Sequence, residues 1–351
     1  MAKLPELCSI QYGYAFDSTC FTEDSTYLPL VRIRDVKRGY SETFYSGNYP
    51  NDYIIDNSSL LVGMDGEFNI ARWKGGNALL NQRVCKITAR KNVDEEYLRF
   101  ALTKALKEIE NRTAFVTVKH LSAKELNRLE IDIPDYKVQI SISGTLTKIE
   151  NIILTRQHQL QKLDELVKAR FVELFGSPCI NSKGFQTQKG SSLFKISNGR
   201  AVPNDRRFET GIPAYGGNGI SWYTDDILCK NDTIVIGRVG FQSGNVHLVK
   251  GPVWITDNAM YISELYDDNL SLVFLCAMME HIDFTKQQDA GDLKKVTQKP
   301  FMETEYILPP KSLQEKYISF VEQVDKSKVA VQKSLDEAQL LFDSLMQQYF
   351  G

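Results

Sequence analysis

Residues 134–176, PDYKVQISISGTLTKIENIILTRQHQLQKLDELVKARFVELFG, are followed by a similar segment at residues 309–351, PPKSLQEKYISFVEQVDKSKVAVQKSLDEAQLLFDSLMQQYFG. At one constant offset the matching pairs are Pro134 with Pro309, Gln139 with Gln314, and Leu160 with Leu335. A long internal repeat constrains the architecture before any motif is interpreted. The sequence therefore predicts two copies of one structural plan.

Both segments place apolar residues at every seventh position. The first series is Leu146, Ile153, Leu160, Val167 and Leu174, and the second is Tyr317, Val324, Val331, Ala338 and Leu345. This period predicts two coiled-coil helices of roughly 57 Å each, at 1.5 Å per residue. Because neither helix can bury its seam alone, we expect them to pack antiparallel on each other. Packing of each helix on its own domain is the alternative.

The segments before each helix read differently, as short apolar runs broken by Gly, Asn, Asp and Pro. Such runs predict strands and turns, with one helix in each segment at about 94–111 and 268–281. We expect Asp94 to cap the first of these helices and Ser312, with Glu315, to cap the C-terminal long helix. The repeat sets the Asn81-Gln82 pair against Asp257-Asn258. The predicted fold class is α+β, divided at 1–135, 136–176, 177–310 and 311–351.

Composition narrows the class of protein. The 351 residues are 42% hydrophobic and carry a net charge of −2, which is typical of a globular chain and gives no bulk attraction for nucleic acid. No run has the length of a membrane span, and the first residues do not resemble a signal peptide. The six cysteines form no CxxC pair. We therefore expect a cytoplasmic protein without structural zinc.

Catalytic motifs are missing from the sequence. It has no phosphate-binding GxxxxGK[ST] loop, no GxGxxG after a strand, no HExxH and no Asn-Pro-Pro-aromatic tetrapeptide. Its four histidines are isolated from one another. We expect no catalytic residue and no metal ligand in this chain.

Basic and amide side chains recur on glycine-containing turns in both halves. Arg and Asn or Gln can read guanine and adenine edges by paired hydrogen bonds, and Lys and Arg can contact phosphates. The segment 31–40 is predicted to place Arg32 and Arg34 on one face of a strand, with a loop beyond. The candidate DNA-binding residues are Arg32, Arg34, Lys37, Arg38, Asn69, Arg72, Lys74, Lys119, Arg200, Arg206, Arg207, Arg238, Gln242, Asn245, Lys294 and Lys295.

The ordered set of motifs resembles the specificity (S) subunits of type I restriction-modification systems. The motifs that carry this resemblance are Leu61-Val62-Gly63, Leu80-Asn81-Gln82-Arg83-Val84, Lys119-His120-Leu121 and Ile307-Leu308-Pro309-Pro310. The resemblance implies two α/β target-recognition domains in tandem repeat, separated by two long antiparallel coiled-coil helices. Each domain would read one half of a bipartite double-stranded DNA target, and the helices would set the spacer between the halves.

The resemblance also implies partners. Modification (M) subunits would dock on the helices, bind S-adenosylmethionine and methylate adenine, and a restriction (R) subunit would act as motor and nuclease. Two alternatives remain open from the residues alone. One is a stand-alone sequence-specific DNA-binding repeat protein, and the other is an interaction scaffold that does not bind DNA.

Overall fold

A computed structural model describes residues 1–112, 120–288 and 294–351. The chain divides into two compact units. Unit 1 comprises Met1–Gln157 and Lys333–Gly351, and unit 2 comprises His158–Gln332. Both boundaries fall inside the long helices, so each unit contains one mixed domain and a part of both helices.

Nine α-helices lie in the described ranges. They are α1 (Leu4–Leu7), α2 (Ile33–Arg38), α3 (Glu95–Arg112), α4 (Ala123–Arg128), α5 (Tyr136–Phe175), α6 (Gly190–Leu193), α7 (Leu272–Ile282), α8 (Lys299–Glu303) and α9 (Lys311–Phe350). None of the helices in this part of the chain is long and apolar enough to span a membrane.

The strands are short in both units. Unit 1 contains β1 (Ala2–Lys3), β2 (Cys8–Tyr12), β3 (Phe21–Thr22), β4 (Leu28–Val31), β5 (Phe44–Tyr45), β6 (Ile54–Ile55), β7 (Leu60–Gly63), β8 (Ile70–Arg72), β9 (Ala78–Leu80), β10 (Val84–Ala89) and β11 (Glu130–Ile131). Unit 2 contains β12 (Gln186–Lys189), β13 (Phe194–Asn198), β14 (Ile212–Gly216), β15 (Gly219–Thr224), β16 (Thr233–Gly237), β17 (Val246–Val249), β18 (Trp254–Ile255), β19 (Ala259–Leu265) and β20 (Glu305–Leu308).

The two units share one sheet topology. In unit 1 a four-stranded antiparallel sheet has the order β2-β10-β7-β8, and in unit 2 the order β13-β19-β16-β17 is its counterpart. A two-stranded sheet accompanies each, β1-β11 and β12-β20. The third sheet differs, with five strands in unit 1 (β3-β5-β4-β9-β6) and three in unit 2 (β15-β14-β18). The predicted α+β tandem repeat is confirmed.

The main core of each unit lies against the four-stranded sheet. In unit 1, Leu98 and Leu102 of α3 are fully buried in one cluster with Leu60 and Val62 of β7. Because these strand residues alternate with residues facing the other side, Leu61 packs instead in a second cluster with Trp73. The sheet therefore separates two apolar layers.

One glutamine in each unit joins the mixed domain to its long helix. The Gln139 side chain accepts from the Asp94 amide at 2.9 Å and donates to the Pro134 carbonyl at 2.8 Å. In unit 2, Gln314 likewise accepts from Ser271 N at 3.0 Å and donates to Pro309 O at 3.0 Å. Both glutamines are buried. The repeat thus preserves a polar contact that satisfies main-chain groups at a helix start.

The long helices run antiparallel within each unit. In unit 2 the start of α9 meets the end of α5, since Tyr317 lies edge-on to Phe171 and Phe175 at 5.6 and 5.7 Å. Farther along, Lys328 pairs with Asp164 at 2.6 Å. In unit 1, the final turn of α9 and the first turns of α5 pack on the same core. The predicted antiparallel pairing is confirmed.

Three details of the sequence prediction were wrong. Helix α9 begins at Lys311, with the Pro310 carbonyl accepting from Leu313 N at 2.9 Å, so Ser312 lies inside the helix and does not cap it. Helix α7 begins at Leu272, later than expected, because Ser271 is its N-cap.

The predicted alignment of the two loops is shifted by one residue. The Asn81 carbonyl accepts from Val84 N, and the Thr256 carbonyl accepts from Ala259 N in the same way. Asn81 therefore corresponds to Thr256, and Gln82 corresponds to Asp257. The expected cap at Asp94 is confirmed, since its side chain accepts from Tyr97 N at 2.8 Å.

Replacing Gln139 tests the polar contact. The substitution Gln139→Ala removes the side-chain partner of the half-buried Asp94 amide and Pro134 carbonyl, which lowers the free energy of unfolding by about 1–3 kcal/mol. Urea denaturation followed by circular dichroism measures the change. Gln161→Ala, at an exposed position of α5, is the matched control and costs less than about 0.5 kcal/mol. Equal losses in the two variants would contradict the assigned role of Gln139.

Candidate nucleic-acid interface

The candidate site of unit 1 is an open cleft of about 460 Å³. Its lining includes Arg32, Arg34, Asn81, Gln82 and Arg83, together with Phe16 and Phe21. Three cationic side chains and two amides therefore meet in one concave surface. A cleft with these side chains can bind a polyanion whose bases present hydrogen-bonding edges.

The strand predicted to carry Arg32 and Arg34 ends before them, at Val31, and the loop predicted beyond it is wrong too. Strand β4 ends there and helix α2 begins at Ile33, because the buried Asp35 carboxylate accepts from the Arg32 amide at 2.9 Å. Gly39, with φ of 77°, ends this helix in the left-handed region. Arg32 and Arg34 nevertheless both line the cleft, from the start of a helix and not from a strand.

The charges around the cleft are only partly compensated. Arg83 donates to Asp65 at 2.7 Å, and His120 Nδ1 also contacts this carboxylate. Arg32 lies 6.0 Å from the Phe21 ring, and Arg34 Nη2 donates to Thr43 Oγ1 at 3.1 Å. Arg34 Nε is also 3.7 Å from Asp35. Both Arg32 and Arg34 are exposed, so their remaining N–H groups face solvent.

The other candidates of unit 1 lie at different depths. Lys37, Arg38 and Lys74 are exposed, and Arg38 pairs with Glu42 at 3.7 Å. Asn69 is half-buried, with its side-chain amide 3.5 Å from Glu67. Lys119 lies outside the described residues.

Arg72 is engaged within the protein. It donates to Glu95 at 2.8 Å, to the Ser58 carbonyl at 2.7 Å, and to Glu96. Burial alone would raise the pKa of Glu96, but hydrogen bonds from Arg99 and Arg72 hold it below its ordinary value. These contacts tie β8 to α3. A DNA contact by Arg72 stays a prediction that this geometry does not favour.

In unit 2 the corresponding loop carries Arg238, Gln242 and Asn245. Arg238 is exposed, with Nη1 3.4 Å from the Asp257 carbonyl. The Gln242 and Asn245 side chains bond to each other and are half-buried, so each retains less capacity for an external partner. Lys294 and Lys295 are exposed beside this loop, because Gly240 N donates to the Lys294 carbonyl at 2.8 Å.

Of the three remaining candidate arginines, two contact other side chains and one is exposed. Arg206 bonds Asp225 at 2.9 Å and Asp226 at 2.6 Å. Arg207 lies 4.1 Å from the Trp222 ring and donates to the Val202 carbonyl. Arg200 is exposed, and its carbonyl accepts from Trp254 Nε1 at 2.8 Å.

One hydrogen-bond scaffold holds the loops of both units. In unit 1 it comprises Gly13 N to Val84 O, Tyr14 N to Leu80 O, Met64 N to Arg83 O, and Leu121 N to Met64 O. In unit 2 the same pattern comprises Gly199 N to Ala259 O, Arg200 N to Ile255 O, Arg238 N to Asn258 O, and Val296 N to Arg238 O. The candidate residues near these bonds thus lie at equivalent ends of the two four-stranded sheets.

The candidate residues from the sequence left out several residues of this surface, namely Asn81, Gln82 and Arg83 of the unit 1 cleft and Phe241 of the unit 2 loop. Arg83 follows the Asn81-Gln82 pair that the repeat had singled out, so its position carried a usable signal. Phe241 is an exposed ring on the loop of unit 2, and nothing in the sequence separates it from the buried Phe68 of the unit 1 loop. Within residues 1–112, 120–288 and 294–351, no cluster of His, Cys, Asp or Glu is arranged to hold a metal ion.

Comparison with known proteins adds independent findings. The family described as type I restriction modification DNA specificity domain matches residues 1–165 and 182–338. The EcoBI specificity subunit of Escherichia coli is 35% identical over 167 residues, 47% of this chain and 35% of that protein. The MjaVIII specificity subunit of Methanocaldococcus jannaschii is 20% identical over 161 residues, 46% of this chain and 38% of that protein. The matched regions span little more than a third of these curated relatives.

A solved structure gives the same fold. The S subunit of a type I restriction-modification system from M. genitalium superposes with a TM-score of 0.67 at 17% identity, covering 100% of this chain and 95% of that one. At this identity the similarity extends to the fold and no further.

A pair of substitutions separates structural from interfacial arginines. Arg72→Ala removes a partner from Glu95 and Glu96 in a half-buried cluster and lowers the free energy of unfolding by about 1–3 kcal/mol at pH 7. Arg34→Ala changes it by less than about 0.5 kcal/mol. Thermal unfolding measures both.

The Arg72 effect depends on pH in a defined direction. Since the folded-state pKa of Glu96 is depressed below 4.5, its stabilising contribution is present above that value and is lost as the pH falls. The difference in free energy of unfolding between wild type and Arg72→Ala therefore becomes smaller as the pH is lowered from 7 to 4. A difference that becomes larger would contradict the ion-pair assignment.

Proposed function

The chain belongs to the type I restriction-modification DNA specificity family, and from this premise we propose that it is the DNA-recognition subunit of a type I restriction-modification complex. Each mixed domain reads one half of a bipartite double-stranded DNA target. The observation that supports this most directly is the main-chain scaffold repeated in both units, which holds Arg-bearing and amide-bearing loops at the same end of equivalent sheets.

The cleft of unit 1 fits base reading better than phosphate binding alone. Arg32 and Arg34 supply forked donors that can match O6 and N7 of guanine, and Gln82 can match N6 and N7 of adenine. Lys37, Lys74, Lys294 and Lys295 are exposed point charges suited to phosphates. Positioning and reading are therefore assigned to different side chains.

The chain itself supplies recognition and no chemistry in this proposal. Modification (M) subunits bring S-adenosylmethionine and methylate adenine in each half of the target, and a restriction (R) subunit joins as motor and nuclease. A net charge of −2 is consistent with such a division, because the partners then contribute many of the phosphate contacts. The complex works in the cytoplasm, on chromosomal and incoming DNA.

The long helices are the proposed docking surface for the M subunits. Their seam residues are buried or half-buried, whereas other apolar residues of the same helices are exposed. These are Val138, Ile140, Ile152, Leu154, Leu166, Val172, Val329, Leu340 and Leu341. Exposed apolar side chains at this density are typical of surfaces that a partner covers.

Exchange of one domain tests the proposal. Residues 1–135 are replaced by the equivalent domain of another specificity subunit, and the chimera is expressed with the M subunits. We expect one half of the methylated sequence to change and the other half to persist, because the loops of each unit are built independently. Sequencing that detects N6-methyladenine reads out both halves. The reciprocal exchange of residues 177–310 is the matched control and changes the other half.

Other outcomes separate the alternatives. A chimera with both halves altered defeats modular reading. Tight sequence-specific binding by the purified chain alone, with no methylation when M subunits are present, favours a stand-alone DNA-binding protein. A chain that binds no DNA in either state favours the interaction scaffold.

Lengthening both helices tests whether they set the spacer. Four residues inserted after Gln157 and four after Gln332, the two boundaries between units, each add about 6 Å and about one full turn of helix. The half-sequences persist, while the gap between them grows by about two base pairs at ~3.4 Å per step. Methylome sequencing measures the gap.

The control is a two-residue insertion at the same points. It rotates the remainder of each helix by about 200°, turns the apolar seam away from its partner, and produces poorly assembled protein. A four-residue variant with the parental spacer would show that the helices do not set it.

A further inference from the structure

Phe241 is the most exposed aromatic side chain in the described part of the chain, with 81% of its surface accessible. It lies on the loop that joins β16 to β17, between Gly240 and Gln242. A Phe ring left in water forgoes the burial that stabilises most rings, so its position calls for a partner.

The loop that carries this ring is ordered by main-chain bonds. Ser243 N donates to Gly240 O at 3.0 Å, and Gln288 Nε2 donates to the carbonyls of Phe241 and Ser243 at 3.3 and 2.6 Å. Gly244, with φ of 93°, sits so close to the Phe284 main chain that a Cβ would be 2.7 Å from it. Hydrogen bonds and close packing therefore restrain the loop that carries the exposed ring.

The fold does not require an exposed ring at this place. Gly63 N donates to Asn69 O in unit 1, and Gly237 N donates to Asn245 O in unit 2, both at 2.8 Å, so the second loop is longer by two residues. The phenylalanine of the shorter loop, Phe68, is buried, with only 6% of its surface accessible. The additional length in unit 2 thus coincides with a ring turned to solvent.

Cations surround the exposed ring. Lys294 Nζ lies 5.4 Å from the Phe241 centroid. Lys295 pairs with Val239 in an isolated bridge, and Arg238 O accepts from Val296 N, which brings two further exposed cations to the same loop. An apolar protein partner has no need of three cations at its contact, whereas a polyanion with stacked rings matches both features.

We propose that Phe241 stacks against a base step within the half-site read by unit 2, unstacking it as the neighbouring lysines hold the phosphates. This inference rests on the proposed function and assigns a residue to one half of the target only. The preferred position is a flexible pyrimidine–purine step, where opening the stack costs least. Unit 1, with its shorter loop, has no equivalent wedge at this loop.

The test uses the chain assembled with its M subunits and duplexes of its own target, once methylome sequencing has given that sequence. 2-Aminopurine replaces one adenine at a time within the second half-site and next to it, on either strand, leaving out the methylated adenine. The wild-type complex should raise the fluorescence at one step, and F241A should abolish that rise. We also expect F241A to bind roughly tenfold more weakly or worse, with the dependence of Kd on salt unchanged.

Two further variants serve as controls. Tyr266→Ala removes an exposed ring at the opposite end of β19 and should change neither the fluorescence nor the affinity. K295Q should weaken binding and lower the salt slope by about one, as expected for a phosphate contact. Thermal unfolding of F241A should match wild type, since the ring is exposed.

The results that overturn the inference are distinct. Unchanged fluorescence and affinity in F241A would remove Phe241 from the DNA interface, and loss of assembly with the M subunits in F241A would make the ring a protein contact. A wild-type complex without any sequence preference would instead overturn the proposed function on which the inference rests.

Discussion

The apolar seam of the two 40-residue helices is the constraint on which the rest of the structure depends. An isolated amphipathic helix of this length gains little in water, so its stability comes from covering its apolar face. Within unit 2, Tyr317 is enclosed by Phe171 and Phe175, and the same core includes Phe274 of α7. In unit 1, Phe342 and Phe350 of α9 lie 6.0 and 5.2 Å from Phe100 and Tyr97 of α3. Each mixed domain is therefore completed by segments from both helices.

The parts of the fold that follow from periodicity were predictable from the sequence. A seven-residue period specifies a helix face without knowledge of its partner, and residues such as Leu146 and Val324 are buried as expected. Helix starts were less predictable, because the competing signals are local and similar. The Pro310 carbonyl, two residues before Ser312, already accepts from Leu313 N. The Asp35 carboxylate binds the Arg32 amide and starts a helix at Ile33, where period-two alternation had placed Arg34 on a strand with a loop beyond.

The candidate site was predictable in composition but not in the condition of each side chain. A count of arginines cannot show that Arg72 and Arg206 are held by carboxylates, since Glu95 and Asp225 are distant along the sequence and meet them only in the fold. The same holds for Gln242 and Asn245, which satisfy each other. Exposure of Arg34 and of Phe241 is likewise a tertiary property. Sequence thus identifies the loops, and folding selects the side chains left free on them.

The scaffold that holds these loops consists of main-chain atoms, and its fixed points are glycines. A Cβ at Gly13 would lie 2.0 Å from the Asn81 carbonyl oxygen, and one at Gly199 would lie 2.0 Å from that of Thr256. Any residue other than proline can supply the remaining amides and carbonyls. Side chains beside these anchors can therefore be exchanged at little cost in stability, so point mutations can change the chemistry of the loop surface while the framework stays constant. The stability of each loop thus depends on its main-chain atoms, whereas evolutionary change can act on its side-chain atoms.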